Sequence, residues 1–281
     1  MTSDQLSQRE VIKVTDTSKM FTDGAAYERM MGRWSRLAGR PFLDWLNAPR
    51  GLRWLDVGCG NGAFTQTLIA QAAPAKVAAI DPSPGQILYA KEQTPLDQVD
   101  FSVGDAQALP FADAALDATI MALVLSFVPD PQKAVREMAR VTRPGGYVGA
   151  YMWESADTAP VGPITLAARA LGHDGDYPLL SARTASQSGM RSLWSEAGLT
   201  DIETRRIDIS VSFEGFADFW DSFHVRPNPA TRFMENLGEA GVEAIRLWLR
   251  DFLPTDRLGR IRYTASASAV KGRVSRTAER G

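Results

Sequence analysis

Residues 55 to 64 read Leu-Asp-Val-Gly-Cys-Gly-Asn-Gly-Ala-Phe, and this run constrains the fold more than any other part of the 281-residue chain. A short apolar strand ends in three glycines at alternate positions, Gly58, Gly60 and Gly62, and an apolar helical pattern begins at once. Glycine permits a tight turn and, without a Cβ, lets the backbone approach a ligand closely. The helix that follows presents unpaired amide groups at its N-terminus. Strand, glycine turn and helix together predict the start of a nucleotide-binding unit.

Short apolar strands then alternate with helical patterns. We predict strands near 53–57, 76–81, 99–103, 117–122 and 146–152, and helices near 63–72, 83–93 and 131–141. Such alternation predicts an α/β fold in which helices cover both faces of a parallel sheet. Ligands bind at the carboxyl ends of the strands in such folds. Asp56, Asp81 and Asp105 all fall at or near those ends.

Both ends of the chain extend this pattern with less regular segments. Helical spacing from residue 27 to 46 is interrupted by Pro41, which we expect to begin a second short helix. Further on, the pattern predicts a helix near 188–197, a strand at about 201–211 and helical stretches at 214–224 and 230–252. A last strand, Arg260 to Val270, is predicted to be antiparallel and to lie at the edge of the sheet.

Two ligand classes compete for the glycine loop. Gly58, Gly60 and Ala63 satisfy the dinucleotide fingerprint, and Asp81, 21 residues after Gly60, could accept the hydroxyls of a ribose in either ligand. Asp56 distinguishes them, because a carboxylate inside the first strand would repel a pyrophosphate. It suits a cationic ligand instead, and S-adenosylmethionine carries both an ammonium and a sulfonium group.

Four segments, in order, resemble those of one known family. The run Leu-Asp-Val-Gly-Cys-Gly-Asn-Gly resembles motif I of the class I S-adenosylmethionine-dependent methyltransferases. Residues 104–111, 116–121 with 129–131, and 143–147 resemble later segments of its small-molecule branch, which includes the ubiquinone and menaquinone C-methyltransferases. The resemblance covers roughly residues 25 to 153. It implies a Rossmann-like sheet of seven strands, mostly parallel with the last antiparallel, with helices on both faces and a helical lid.

From length and composition we expect one domain over 24–270, between a flexible leader at 1–23 and a flexible tail at 271–281. The lid segments would be 24–46, 155–190 and 214–256. The residues that the resemblance places around S-adenosylmethionine are Tyr27, Arg33, Asp56, Gly58, Cys59, Gly60, Gly62, Asp81, Pro82, Ser83, Asp105, Ala106, Ala122 and Leu123.

Each implied role has a structural alternative. Asp56 would lie near the amino group of the cofactor, but it could instead cap loop amides. Asp81 would accept the ribose hydroxyls, and Asp105 would accept from the adenine amine or else cap the turn at 106–109. Tyr27 and Arg33 resemble residues that close over the carboxylate, although Arg33 could equally be a solvated helix residue.

No residue is assigned as the catalytic base. The family often has His at positions that match Ser126 and Phe127, and this chain has neither. His173 and His224, the two histidines of the chain, are weak candidates. Cys59 has no His at a useful spacing and is not expected to be a nucleophile. No cluster has metal-ligand spacing, so we expect no metal.

The prediction is therefore methyl transfer from S-adenosylmethionine to a small organic molecule. The alternatives are an NAD(P)-binding oxidoreductase, for which no Tyr-x-x-x-Lys pair is found, and a non-catalytic cofactor-binding protein of the same fold. A net charge of −2 argues against a nucleic-acid partner. No apolar run approaches the ~20 residues of a membrane span, so we expect no membrane partner and a cytoplasmic location. A homodimer is compatible with the sequence.

Overall fold

A computed structural model describes residues 33–94, 97–173, 181–223 and 229–276, and gives only the backbone at residues 33, 229–232 and 235. The strands are β1 (Arg53–Val57), β2 (Lys76–Asp81), β3 (Val99–Val103), β4 (Leu116–Ala122), β5 (Thr142–Trp153), β6 (Leu199–Phe213) and β7 (Ile261–Val274). The α-helices are α1 (Arg33–Leu46), α2 (Ala63–Ala72), α3 (Pro84–Gln93), α4 (Pro131–Val141), α5 (Gly162–Ala170), α6 (Ala182–Ala185), α7 (Gln187–Glu196), α8 (Phe216–Ser222) and α9 (Pro229–Phe252). A 3₁₀ turn, Leu125–Phe127, follows β4.

The seven strands form one sheet in the order β3-β2-β1-β4-β5-β7-β6. β1 to β5 pair in parallel, and β7 pairs antiparallel with both β5 and β6. The prediction of a mostly parallel seven-stranded sheet with the last strand antiparallel is therefore confirmed. The carboxyl ends of β1, β2, β3 and β4 meet along one edge, and this edge carries the predicted site.

The predicted place of the last strand is wrong. β7 lies between β5 and β6 rather than at the edge, and β6 is the edge strand. The run of alanine and serine from 265 to 269 is buried on both faces of the sheet. Small residues allow helices to pack closely on each face of the sheet. In the sequence, the alternation of Ala with Ser resembles the apolar and polar alternation of a strand at the sheet edge. The strand also continues to Val274, so the tail predicted from residue 271 begins at least four residues too early.

Helix α1 also differs from its prediction, because it runs from Arg33 to Leu46 without ending before Pro41. Proline inside a helix removes one hydrogen bond and crowds the preceding turn. Packing compensates here, since Trp34, Ala38 and Phe42 recur every four residues and are at most 2% exposed. A buried stripe at helical spacing on both sides of the proline keeps the two turns in line.

The core consists of two main apolar clusters, one on each face of the sheet. On one face, Phe42 of α1 and Phe64 of α2 pack against Tyr151 of β5. On the other, Met138 of α4 and Trp194 of α7 belong to one buried cluster with strand residues. Within the described ranges, no helix combines the length and apolar character needed to cross a bilayer.

Candidate active site

The glycine loop after β1 has a conformation that explains its composition. Gly58, Gly60 and Gly62 all have positive φ, at 73°, 52° and 84°. Side chains other than glycine rarely adopt that region of backbone space. The amides of Gly58 and Cys59 both donate to the carbonyl of Ile80, at 2.8 and 2.9 Å. These two bonds fasten the start of the loop to the end of β2.

Asp81, the last residue of β2, holds the loop through its side chain. Its Oδ2 accepts from the amide of Gly60 at 3.0 Å, and its Oδ1 accepts from the amide of Ser83 at 2.9 Å. Burial raises the pKa of Asp81, and the two amide hydrogen bonds oppose that rise. Each carboxylate oxygen has a second lone pair. Asp81 can therefore fix the loop and still accept from a ligand hydroxyl.

Ser83 immediately precedes helix α3, which begins at Pro84. Its side chain accepts from the amide of Gln86, which makes it the N-cap residue. The predicted pair Pro82 and Ser83 therefore lies at the junction of β2 and α3, directly beyond Asp81.

Asp56, in β1, lies fully buried below the loop. Its Oδ2 accepts from the hydroxyl of Thr65 at 2.6 Å, and its Oδ1 has no hydrogen-bond partner among the described residues. Burial, with a smaller contribution from the negative charge of Asp81, raises the pKa of Asp56 to about 7 against the opposing effect of the Thr65 hydrogen bond. The carboxylate is bound to a hydroxyl of α2 rather than to loop amides. The Oδ1 of Asp56, which has no partner among the described residues, is suited to accept a hydrogen bond from a cationic group of a ligand.

Asp105, beyond the tip of β3, makes the turn contact that was the structural alternative. It is exposed, and its Oδ1 accepts from the amide of Gln107 at 2.8 Å. The carbonyl of Asp105 accepts from the amide of Ala108 at 3.0 Å, so Ala106 lies inside a short closed turn. The turn follows Gly104, whose amide donates to the carbonyl of Asp81 at 3.1 Å. Asp81 and Asp105 thus lie at neighbouring strand tips.

Ala122 and Leu123 lie at the tip of β4, and both are largely buried. Leu123 has a φ of 62°, which is strained for a branched side chain, and its amide donates to the carbonyl of Tyr151 at 2.8 Å. Strain of this kind persists only where the surrounding structure imposes it, and it concentrates at functional sites. The next residue, Val124, faces the glycine loop, because a Cβ added to Gly58 would lie 2.6 Å from its methyl groups.

The remaining predicted residues are placed as follows. Cys59 is 6% exposed, and burial raises the pKa of its thiol well above the ordinary range, which opposes a nucleophilic role. His173 lies in the turn after α5, where its amide donates to the carbonyl of Ala168. Tyr27 and His224 lie outside the described residues, and Arg33 begins α1 with its side chain outside them.

The loop after β4 also differs from the family pattern in a physical way. The hydroxyl groups of Ser126 and Thr184 are hydrogen-bonded at 2.8 Å, which fastens the 3₁₀ turn to α6. Ser126, one of the two positions at which the family often has His, is therefore engaged in a contact between elements. Across the described ranges, no group of three or more His, Cys, Asp or Glu side chains could hold a metal ion.

Residues 55–150 match the family model described as a methyltransferase domain. This part of the chain is a methyltransferase domain. The matched range begins inside β1 and ends inside β5, so it contains the glycine loop, Asp81, Asp105 and the tip of β4. The comparison with known proteins therefore confirms the family to which the four motifs pointed.

Two curated relatives and one solved structure are similar to the chain. The demethylmenaquinone methyltransferase of Renibacterium salmoninarum is 41% identical over 114 residues, 41% of this chain and 45% of that protein. The malonyl-[acyl-carrier protein] O-methyltransferase of Pectobacterium atrosepticum is 34% identical over 113 residues, 40% of this chain and 43% of that protein. The chain thus spans less than half the length of these two relatives.

The solved structure is that of phosphoethanolamine N-methyltransferase 2 of Haemonchus contortus in complex with S-adenosyl-L-methionine. The alignment covers 92% of this chain and 58% of that chain, with 16% identity and a TM-score of 0.56. At this identity the similarity shows the fold alone. It is consistent with the strand order and with helices on both faces of the sheet.

The strand-tip residues of this methyltransferase domain fit S-adenosylmethionine on three observations. Glycines at positive φ leave room for close approach of a ligand to the backbone. Asp81 offers two oxygens with spare lone pairs at the loop. Asp56 offers a buried oxygen without a partner among the described residues, and the charge of a cation would favour its ionised form. Thr65 and Val124, which support these residues, were missed by the sequence analysis, since neither belongs to the glycine motif.

Proposed function

We propose that this chain transfers a methyl group from S-adenosylmethionine to a small organic molecule. The observation that carries the proposal is the buried Asp56 oxygen, unpaired within the described residues and placed directly below a glycine loop that Asp81 holds in place. A dinucleotide would bring its pyrophosphate to such a loop, and a buried carboxylate there would oppose it. A cation is the ligand charge that this arrangement favours.

When bound, S-adenosylmethionine supplies a methyl carbon on a positively charged sulfur, which is a good leaving group. The protein then has to hold the acceptor in line with the C–S bond. Orientation of this kind can contribute about 7–11 kcal/mol toward the barrier. Ala122 and Leu123 form a rigid, apolar wall at the tip of β4, as their burial and the Tyr151 hydrogen bond indicate. These residues position reactants and exclude water.

The loop after β4 offers a hydroxyl in the place of a histidine. Because Ser126 is hydrogen-bonded to Thr184, we do not assign it the role of removing a proton from the acceptor. An acceptor whose nucleophilic atom is already unprotonated at neutral pH would need no base from this loop. The curated relatives are named for acceptors as different as demethylmenaquinone and malonyl-[acyl-carrier protein], so the choice of acceptor varies within the family.

A turnover screen tests the proposal. Purified protein is incubated with S-adenosylmethionine and a mixture of small metabolites, and mass spectrometry searches for products heavier by one CH2 unit together with S-adenosylhomocysteine. The expected result is at least one such product, absent with Asp81→Ala. Tight binding of S-adenosylhomocysteine without any product across broad acceptor mixtures would favour the non-catalytic alternative. A homodimer, a cytoplasmic location and the absence of nucleic-acid or membrane partners stay predictions.

A further inference from the structure

Strand β6 has an open edge over residues 204–212, where backbone groups point away from the sheet. Among the described residues, only β7 pairs with β6. Ser266 of β7 lies opposite Asp208 of β6. The backbone of Ser266 turns toward the other side, since its amide donates to the carbonyl of Thr158 at 2.8 Å and its carbonyl accepts from the amide of Glu154 at 3.0 Å. The N–H and C=O of Asp208 therefore point away from β7, and the same holds for every second residue of the open edge.

The open edge is regular and accessible. Residues 203–213 pair with β7 without a shift of register and contain no proline, glycine or lysine. The irregular part of β6 lies before them, between Thr200 and Glu203, where Arg191 donates to the carbonyl of Ile202 at 2.8 Å. No described residue bonds to the outward backbone groups of 204–212 in this way. A long and regular edge strand of this kind is a template for pairing with another strand.

Two charged side chains of the open edge are held in fixed positions on its exposed face. The Nε of Arg206 donates to Oδ1 of Asp208 at 2.8 Å, and their side chains are 50% and 54% exposed. The buried hydroxyl of Ser266 accepts from Nη2 of Arg206 at 2.8 Å and donates to Oδ1 of Asp208 at 2.6 Å. The hydrogen bonds from Ser266 and Arg206 hold the pKa of Asp208 below its usual range, so this carboxyl is charged at neutral pH. The edge thus presents one positive and one negative group, two residues apart.

A second copy of this chain complements that charge pattern in one register. Two copies of one strand pair antiparallel about a twofold axis, so the residue on the axis faces itself. With the axis at Ile207, Arg206 of each copy lies opposite Asp208 of the other. Outward backbone groups then meet outward backbone groups, as hydrogen-bonded pairs require. With the axis at 206 or 208, two arginines or two aspartates would face each other, which is destabilising.

We propose that β6 pairs with β6 of a second copy of this chain, antiparallel about an axis at Ile207, so that two seven-stranded sheets become one. Residue 204 with 210 and residue 206 with 208, each pair formed twice, would supply about eight backbone hydrogen bonds. One pair of strands is a small interface, so we expect a weak dimer with a dissociation constant of about 1–100 µM. The proposal does not depend on methyl transfer, because β5 and β7 separate β6 from the strand tips that carry the site.

Charge reversal tests the interface by sedimentation equilibrium at protein concentrations up to about 200 µM. Wild type should show a monomer–dimer equilibrium. Arg206→Asp places two aspartates opposite each other at each end of the pairing and should raise the dissociation constant about tenfold or more. Adding Asp208→Arg to that variant restores opposite charges across the axis and should restore the dimer. Arg262→Asp is the matched control, because Arg262 is an exposed arginine on β7 and should leave association unchanged.

Single cysteines test the register. The two copies of the residue on the axis have Cα atoms about 4.5 Å apart, which is within the range of a disulfide. Ile207→Cys should therefore give a cross-linked dimer under mild oxidation. Ile209→Cys is the control, since Ile207 and Ile209 are 4% and 5% exposed but the two copies of residue 209 would lie about 14 Å apart. The native Cys59 is buried and is present in both variants.

Several results would overturn the proposed pairing. They are a wild-type chain that stays monomeric at about 200 µM, a dimer that Arg206→Asp leaves unchanged, a doubly reversed variant that stays monomeric, and equal cross-linking of the two cysteine variants. Should a variant not fold, hydrogen exchange of the wild-type protein answers the question. The amides of residues 204–210 should exchange more slowly at about 200 µM than at about 2 µM, and exchange that does not depend on concentration would overturn the pairing.

Discussion

Two aspartates of the site, Asp56 and Asp81, have the same side chain in different surroundings. Asp81 accepts from two backbone amides, which stabilise its ionised form. Asp56 accepts from one hydroxyl, and the described residues offer no partner for its second oxygen. Desolvation therefore dominates at Asp56, and its carboxyl holds its proton to a higher pH than an exposed aspartate does.

This difference predicts a pH effect on stability that Asp56→Asn removes. The pKa of Asp56 rises from 3.8 to about 7 on folding. Between those values the folded state binds more protons than the unfolded state, so stability falls as pH rises through this window. Below it the Asp56 contribution is constant. In urea denaturation, the Asp56→Asn variant should gain stability relative to wild type by up to about 1.4 kcal/mol per pH unit from about pH 4 to 7. If the free energy of unfolding changed with pH in the same way in both proteins, the raised pKa of the buried Asp56 carboxyl would be contradicted.

Asp81→Asn should weaken cofactor binding. The amide group replaces one of two acceptor oxygens by a donor, which then faces the amide of Gly60 or Ser83. Loss of charge-assisted hydrogen bonds to the ribose and distortion of the loop should reduce the affinity for S-adenosylhomocysteine about 10- to 100-fold. Calorimetric titration measures this. Asp100→Asn is the matched control, because Asp100 is exposed on β3 and its ion pair with Lys76 is a surface contact. Equal losses in both variants would refute the assigned role of Asp81.

At the scale of elements, the site depends on how the glycine loop and the tip of β4 fit together. A Cβ on Gly58 would lie 2.6 Å from both methyl groups of Val124 and would also strain a backbone at φ 73°. Gly58→Ala should destabilise the protein by about 2–4 kcal/mol in urea denaturation, since overpacking adds to left-handed strain. The added substitution Val124→Ala should restore part of this loss, because it removes the methyl groups. If the changes in the free energy of unfolding caused by Gly58→Ala and Val124→Ala simply add, the contact between these two positions is not tight.

Two substitutions in helix α1 should change the stability of the protein in opposite directions. Pro41→Ala adds a backbone N–H inside a continuous helix and should stabilise the protein by about 1–2 kcal/mol. Gly39→Ala in the same helix would bring a Cβ to 2.9 Å from Phe64 and 3.3 Å from the Tyr151 hydroxyl, and should destabilise it. Thermal unfolding of both variants compares them directly. A stabilising Gly39→Ala would show that the helix is not packed as closely as described.

The elements that sequence predicted well are those with local signals. β1, β2 and β3 agree with their predicted ranges to the residue, because each short apolar strand is bounded by glycine, proline or a charged residue. α1 and β7 were predicted less well for a reason that lies outside their own sequences. The continuity of α1 through Pro41 depends on packing against the sheet, and the interior place of β7 depends on which neighbours cover its alanines and serines.

At the scale of the whole molecule, the sequence placed the acidic residues at the strand tips because a parallel sheet brings those tips to one edge. It could not reveal Thr65 as the partner of Asp56 or Val124 as the neighbour of Gly58. Each of these depends on a contact between residues far apart in the chain or on burial. The glycine motif identifies the backbone that a ligand approaches. The residues that support that backbone depend on the tertiary structure.

The arrangement of Asp56 and the glycine loop favours a ligand that carries an adenosine and a positive charge and has no pyrophosphate. Calorimetric titration of the wild-type chain with S-adenosylhomocysteine, S-adenosylmethionine and NAD⁺ tests this most directly. The account predicts that both sulfur compounds bind at a single site and compete with each other, and that NAD⁺ displaces neither. Binding of NAD⁺ to a chain that binds neither sulfur compound would contradict it.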